Sequence, residues 1–316
     1  DVITLPSGAR LDLPHTANIR VDTIMVQSGA TFAAESPRDF STAIATGDGT
    51  IITGQPLVSS VSSSTSDGAY NAGDTVLVTI TFSENVTVTG TPQLTLETGS
   101  TDAVLNYGSG SGTATLVFRY IVASGHTSPD LSYSSTNKLS LPNSDTKIQD
   151  NLVNDGVLTL PAPGAENSLN ANKALVIDTQ DPTAGTVSDG SGSDVTYSGS
   201  NTSLTANWTG FSDALSGIAE YEIAVGTTSG ATNVLSWTSA GNVTTYTKSD
   251  LSLTHATRYY VSTRAQDAAG NYSSAATANG VIIDVVAPSS TVSIDSTTYN
   301  AAEWDAATAI SGTAAD

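Results

Sequence analysis

The chain has 316 residues, 30 acidic against 10 basic side chains and a formal net charge of −20. Such a surface repels nucleic-acid backbones and anionic membranes but suits divalent cations. No cysteine is present and only 13% of residues are charged, so rigidity must come from core burial or bound metal rather than from disulfides.

The length allows two or three domains, and no apolar run approaches the ~20 residues of a membrane-spanning helix. A strand pattern that begins at Asp1 without a leader and breaks off at Asp316 is read as a mature or internal part of something longer. Residues 1–55 read as the end of a preceding β-domain. Leu11-Asp12-Leu13, Ile19-Arg20-Val21 and Thr23-Ile24-Met25-Val26 have short-strand patterns, and Ser28-Gly29-Ala30-Thr31-Phe32 turns into another. A terminal cap or an assembly segment is the competing reading.

The strand signal is strongest over 56–178. In Thr75-Val76-Leu77-Val78-Thr79-Ile80-Thr81-Phe82 the even positions share one apolar face and the other face is mostly threonine, the pattern of a half-buried strand. Val86 and Val88, Leu94 and Leu96, and the run Thr115 to Val122 continue the alternation. Gly73-Asp74, Gly90, Gly99-Ser100 and Gly108 to Gly112 punctuate it as turns. No stretch has a helical period. About seven short strands at regular spacing point to a sandwich.

The runs Ala69-Tyr70-Asn71-Ala72-Gly73-Asp74, Phe82-Ser83-Glu84-Asn85-Val86 and Gly90-Thr91-Pro92-Gln93-Leu94-Thr95-Leu96 resemble the bacterial Ig-like repeats of giant surface adhesins. Leu158 to Gly164 and Leu169 to Asp178 fit the same pattern. That resemblance spans 56–178 and implies a structural or adhesive repeat without catalytic residues. Residues 183–284 resemble a fibronectin type III module. Leu204, Ala206 and Trp208 match its strand B, and Tyr221, Ile223 and Val225 its strand C. Leu253 followed six residues later by Tyr259, then Val261, Thr263 and Ala265, matches its strand F and implies a tyrosine corner. Thr263 stands where a larger apolar residue is usual, so a thinner core is expected there. Residues 289–316, with Thr291-Val292-Ser293-Ile294, Trp304 and Ala309-Ile310-Ser311-Gly312, look like the start of another Ig-like repeat. Two strands are not stable alone.

One motif marks the boundaries. Val176-Ile177-Asp178-Thr179-Gln180-Asp181-Pro182 reappears as Ile282-Ile283-Asp284-Val285-Val286-Ala287-Pro288, and more weakly as Ile51-Ile52-Thr53-Gly54-Gln55-Pro56. Each is a β-branched pair running into a proline that fixes its own φ and holds the preceding residue extended. The expected organisation is therefore 1–55, then an Ig-like sandwich at 56–178, a fibronectin-like sandwich at 179–284 and an incomplete repeat at 285–316, all β and in tandem as a rod.

Acidic residues at the joints carry the candidate chemistry. In a fibronectin-type sandwich the first strand begins at the pole of the B–C and F–G loops. Asp178 and Asp181 lie in the joint entering that pole, Asp213 in the B–C loop and Asp267 in the F–G loop; Asp284 is the counterpart in the next joint. Carboxylates from separated loops suit Ca²⁺. The alternative is that they are turn aspartates, solvated or bonded to their own backbone. Asp189-Gly190-Ser191-Gly192-Ser193-Asp194 lacks the closing Glu of an EF-hand, position 200 being Ser, and reads as a plain loop. His15, His126 and His255 stand in separate segments without a partner pattern, and Gly108 to Gly112 lacks the lysine of a phosphate loop, so no enzyme activity is expected.

The function expected is an extracellular, cell-surface structural or adhesive segment of a large bacterial protein, a spacer stiffened at its joints by calcium. Its partners would be neighbouring domains of the same chain and an unknown surface ligand. Two rivals remain: a filament subunit whose ends, 1–55 and 289–316, are completed by copies of itself through strand addition, and an accessory carbohydrate-binding region. The latter needs an exposed aromatic platform, for which Trp237 and Trp304 are the tryptophans left once Trp208 is placed in the core.

Overall fold

A computed structural model describes residues 55–151 and 153–294, together with the strands at 2–5, 10–13, 23–26, 31–34, 44–46, 50–52 and 310–315. His15, Ile19-Arg20-Val21, Thr53-Gly54 and Trp304, singled out above, lie outside the described residues. The described chain is almost wholly β. It divides into two compact units, one of residues 1–180 with 268–271 and the other of 181–267 with 272–316. The boundary falls between Gln180 and Asp181.

The first unit begins with six short strands: β1 (Val2–Leu5), β2 (Arg10–Leu13), β3 (Thr23–Val26), β4 (Thr31–Ala34), β5 (Ile44–Thr46) and β6 (Thr50–Ile52). They do not form hairpins. Odd and even strands separate into two three-stranded sheets, β1-β3-β5 and β2-β4-β6, in which every pair is parallel. Val2 pairs with Thr23 and Thr23 with Ile44, a spacing of 21 residues each time. Arg10 pairs with Thr31 at the same spacing. Two alternating parallel sheets advancing by one repeat are the backbone pattern of a solenoid.

The sandwich that follows has β7 (Val58–Ser63), β8 (Gly68–Tyr70), β9 (Thr75–Thr89), β10 (Gln93–Leu96), β11 (Ala103–Ser109), β12 (Thr113–Ile121), β13 (Thr127–Ser128), β14 (Leu139–Ser140) and β15 (Lys147–Gln149). A single helical turn, α1 (Leu169–Asn172), precedes β16 (Leu175–Asp178). Four residues are too few to leave a 3.6-residue signature, which explains why the sequence shows none. One sheet runs β14-β10-β11-β12-β9-β15 with β7 also on β9, and the other runs β13-β16-β8. Val76, Val78, Ile80 and Phe82 are buried as their alternation requires, against Leu116, Phe118 and Tyr120 of β12. Val86 is buried on the same long strand, beyond a register shift in its pairing with β12. At the β11–β12 turn Gly110 has φ +110°, and a side chain there would collide with the Thr115 carbonyl.

The second unit holds β17 (Thr186–Asp189), β18 (Tyr197–Ser198), β19 (Leu204–Thr209), β20 (Ile218–Gly226), β21 (Leu235–Gly241), β22 (Thr245–Lys248), β23 (Arg258–Asp267), β24 (Ala276–Thr277) and β25 (Val281–Ile283). Its sheets are β17-β19-β22 and β18-β25-β23-β20-β21, with β24 on β23. β26 (Ser289–Ile294) and β27 (Ile310–Ala315) form an antiparallel pair. The strand assignments drawn from Trp208, Tyr221 and Tyr259 are the observed β19, β20 and β23. The Thr254 backbone N–H donates to the Tyr259 hydroxyl at 3.0 Å, the corner bond that Leu253 and Tyr259 imply.

The core of this sandwich is divided. Leu204, Val225, Tyr259, Val261 and Ile283 belong to one cluster, and Trp208, Tyr221, Ile223 and Ala265 to another. Thr263 lies between Val261 and Ala265 on the inward face of β23, fully buried, and its hydroxyl has no hydrogen-bond partner. The expected thinning is thus a polar gap between two apolar clusters. Thr263→Val removes the orphaned hydroxyl at nearly constant shape and is expected to stabilise the protein by about 1 kcal/mol. The check is a higher denaturant midpoint at an unchanged slope; a lower midpoint contradicts the account.

Candidate functional site

The candidate site is built at one pole of the second sandwich. Its first strand enters there, where Thr183 and Ser212 form a two-way backbone bridge at 2.8 and 3.2 Å. Asp213 follows Ser212 in the loop between β19 and β20. Its Oδ1 accepts the backbone N–H groups of Leu215, Ser216 and Gly217 at 3.0, 2.9 and 2.8 Å. Three donors on one oxygen fix the carboxylate and tighten the loop, which is the own-backbone reading of this aspartate. Asp267 ends β23 opposite Ile218 and is 2% exposed. An oxygen of Asp213 and one of Asp267 lie within 4.8 Å of each other. Two like charges at that separation raise each other's cost, and a cation relieves it.

Asp178 is the last residue of β16 in the first unit and is buried. Its Oδ1 accepts the Gln180 N–H at 3.0 Å, and its carbonyl accepts Asn271 Nδ2 at 3.1 Å from the loop Ala268–Asn271, which groups with that unit. Asp181 is exposed. Asp284 stands apart from the Asp213–Asp267 pair: its Oδ1 is 3.7 Å from His255 Nδ1 and takes the Val286 N–H at 3.3 Å. Of the five joint and loop aspartates, Asp213 and Asp267 are therefore paired within one unit, and Asp284 has an imidazole for a neighbour.

The loop Asp189–Asp194 is a clasp between sheets. Asp194 Oδ1 accepts the Asp189 N–H at 3.0 Å and its Oδ2 accepts Asn279 Nδ2 at 2.8 Å. Asp189, fully buried at the end of β17, accepts the Gly280 N–H on Oδ2 at 2.9 Å, just before β25 of the opposite sheet. Its Oδ1 has no hydrogen-bond partner. Burial, followed by the neighbouring Asp194 charge, pushes its carboxyl up to about 6, against the Gly280 hydrogen bond and Arg258, which pull it down. Sequence reading treats this segment as a plain loop, because nothing in Asp-Gly-Ser-Gly-Ser-Asp reports which aspartate turns inward.

Further groupings were not legible in advance. The Arg264 guanidinium lies 4.6 Å over the Trp237 ring and 4.0 Å over the Tyr272 ring, and pairs with Glu222 at 2.6 and 2.7 Å. Trp237 therefore has a face occupied by its own chain, which weakens it as a platform for sugar stacking. In the first sandwich burial, with help from Asp150, raises the Glu84 carboxyl, and Glu84 Oε1 is buried without a hydrogen-bond partner. His126 bonds the Tyr120 hydroxyl at 2.8 Å and stacks on that ring, while His255 Nδ1 accepts the Val285 N–H at 3.3 Å.

Asp189 gives a pH prediction with a definite sign. Its folded pKa lies above the roughly 3.9 of an unfolded aspartate, so its contribution is fully present below about pH 4 and is lost as pH rises through about 6. Asp189→Asn is expected to flatten the fall of the thermal midpoint between pH 4 and 6.5. An unchanged slope in the variant contradicts the assignment.

No protein-family model matches the chain, and no curated protein matches it. Among the solved structures it is similar to are fibronectin type III and Ig-like domain structures. The chicken CNTN1 FN1–FN3 domains match at 12% identity, over 74% of this chain and 67% of that one, with a TM-score of 0.30. Domains A168–A170 of titin match at 14% identity over 74% and 68%, with a TM-score of 0.33. The fibronectin(III)-like modules of Clostridium thermocellum CbhA match at 13% identity over 71% and 94%, with a TM-score of 0.26. The assignment of the chain to tandem β-sandwiches rests on its own strand order and burial.

Proposed function

We propose that this chain is a non-enzymatic structural and adhesive segment of a large cell-surface protein, a spacer whose joint at 176–182 is stiffened by Ca²⁺. The observation that carries the reading is the Asp213–Asp267 pair at the pole where the second sandwich receives its first strand. Asp178 precedes Thr183 by five residues, at most roughly 17 Å of extended chain, and Thr183 is bridged to the neighbour of Asp213.

The donor set is all oxygen and strongly negative, which suits a hard divalent cation with six to eight ligands. Carbonyls and waters would supply the remainder. Asp213 is held by its three backbone donors before any metal arrives, so binding does not have to order that loop. The ion would cancel the repulsion among the carboxylates and tie the joint to both loops, removing slack that the proline alone leaves. The affinity expected is that of extracellular modules, roughly 10⁻⁴–10⁻³ M.

Calcium at a hundred times its dissociation constant should stabilise the folded protein by about 2.7 kcal/mol, read as a raised thermal midpoint that a chelator reverses. Asp267→Asn should abolish the shift. A midpoint in the unaltered protein that does not respond to calcium removes the metal from the proposal and leaves the spacer without its stiffener.

A further inference from the structure

The sequence holds one Asn-Gly dipeptide, Asn279-Gly280, and the second sandwich builds its turn into β25 on it. At such a dipeptide a chain can attack its own side chain. The glycine nitrogen closes on the asparagine Cγ, with no Cβ on the glycine to hinder it. Gly280 is also required by the fold: its φ is +92°, and a side chain there would strike the Tyr260 ring. The groups around the dipeptide match what the attack needs. The Gly280 N–H, which must lose its proton, donates to Asp189 Oδ2 at 2.9 Å. The Asn279 carbonyl, where the resulting negative charge collects, accepts Arg258 Nη1 at 3.3 Å, and the Gly280 carbonyl accepts the same nitrogen. Asn279 Nδ2, the nitrogen that must leave, donates to Asp194 Oδ2 at 2.8 Å. Asn279 is exposed, so water reaches it, whereas Asp189 and Gly280 are buried.

We propose that Asn279 is a site of self-catalysed deamidation, with Asp189 as general base, Arg258 stabilising the charge and Asp194 holding the departing amide. Asp189 Oδ2 takes the proton from the Gly280 nitrogen, which bonds to Asn279 Cγ and closes a succinimide. The Cγ–Nδ2 bond breaks, and the nitrogen leaves as ammonia with a proton from solvent. Water then opens the ring at either carbonyl, leaving aspartate or isoaspartate at 279, and Asp189 returns its proton to solvent. A base within hydrogen-bond reach and a cation at the developing charge are what such a step requires. A buried carboxylate raised to about 6 is, once ionised, a stronger base than an ordinary one. Among the described residues the charged groups facing it are Asp194 on its own loop and Arg258 on β23, while the Tyr260 ring lies against Gly280. The product sets a carboxylate against Asp194 where a donor stood, and isoaspartate lengthens the main chain just before β25. The clasp between the sheets is then lost irreversibly. Calcium at the joint plays no part in it.

The test is ageing of the full chain at neutral pH, with the peptide around Asn279 followed by tandem mass spectrometry for aspartate and isoaspartate. The folded protein should convert Asn279 faster than the same chain unfolded in urea. Between about pH 5 and 7.5 the folded rate should rise through about 6 and level as Asp189 ionises, rather than climb in proportion to hydroxide. Asp189→Asn keeps an acceptor for the Gly280 N–H but no base, and should slow the folded reaction about tenfold or more. Circular dichroism checks that the variant folds, and the comparison of folded with unfolded unaltered chain stands without it. A folded rate at or below the unfolded one overturns the proposal, because the sandwich then only protects the dipeptide. So does a folded rate that Asp189→Asn leaves unchanged.

Discussion

The structure depends on one constraint: an extended chain can bury only every second residue of a strand while its backbone stays paired. The long strand β9 meets it with Val76, Val78, Ile80 and Phe82 turned inward and threonines outward. Each large apolar side chain so buried contributes about 1.5–3 kcal/mol. The threonines satisfy the solvated face, where Ser and Thr hydroxyls bond across strands, as Thr81 does with Thr115 and Thr205 with Thr247. Low charge density within strands and acidity at turns follow from the same division of labour. The carboxylates are left to the loops and poles, where they are available for chemistry.

Where polar groups do enter the interior, they organise it. Thr263 splits the second core into two clusters, with Trp208 and Tyr221 on one side and Tyr259 and Val261 on the other. The Tyr259 corner holds one end, and Asp189 reaches from β17 to the opposite sheet through Gly280. These are local ties across a thin sandwich, and each is placed where apolar packing is interrupted or ends. Arg264, stacked on Trp237 and Tyr272 and paired with Glu222, does the same for the outer face of β20, β21 and β23. The cation–π contacts and the ion pair share one guanidinium, so the four side chains form a single unit.

The solenoid strands follow a different logic from the sandwiches. Sandwich strands alternate and are joined by glycine turns, which makes them readable one at a time. In residues 2–52 the informative period is 21 residues, longer than any strand. Ser7-Gly8-Ala9 and Ser28-Gly29-Ala30 recur at that spacing, with Asp48-Gly49-Thr50 as a third, shortened copy. A search for internal repeats finds them, whereas strand-by-strand reading yields short strands and no partner for any of them.

The sequence alone determined the all-β character, the identity of strands β9, β19, β20 and β23, and the tyrosine corner. Each of these is encoded locally, by two-residue alternation or by a fixed offset such as that from Leu253 to Tyr259. It also placed Asp213 in the loop after β19, whereas Asp267, expected in a loop, is the last residue of β23. Only the tertiary structure decided that Asp213 is pinned by three backbone donors, that Asp284 faces His255, and that Asp189 rather than Asp194 is buried. Those outcomes turn on which rotamer and which strand end meet across the sheets, and they depend on residues tens of positions away. The parallel pairing of β1 to β6 was likewise a tertiary outcome, since the register of a parallel sheet is set by the connections between strands and not by the strands themselves.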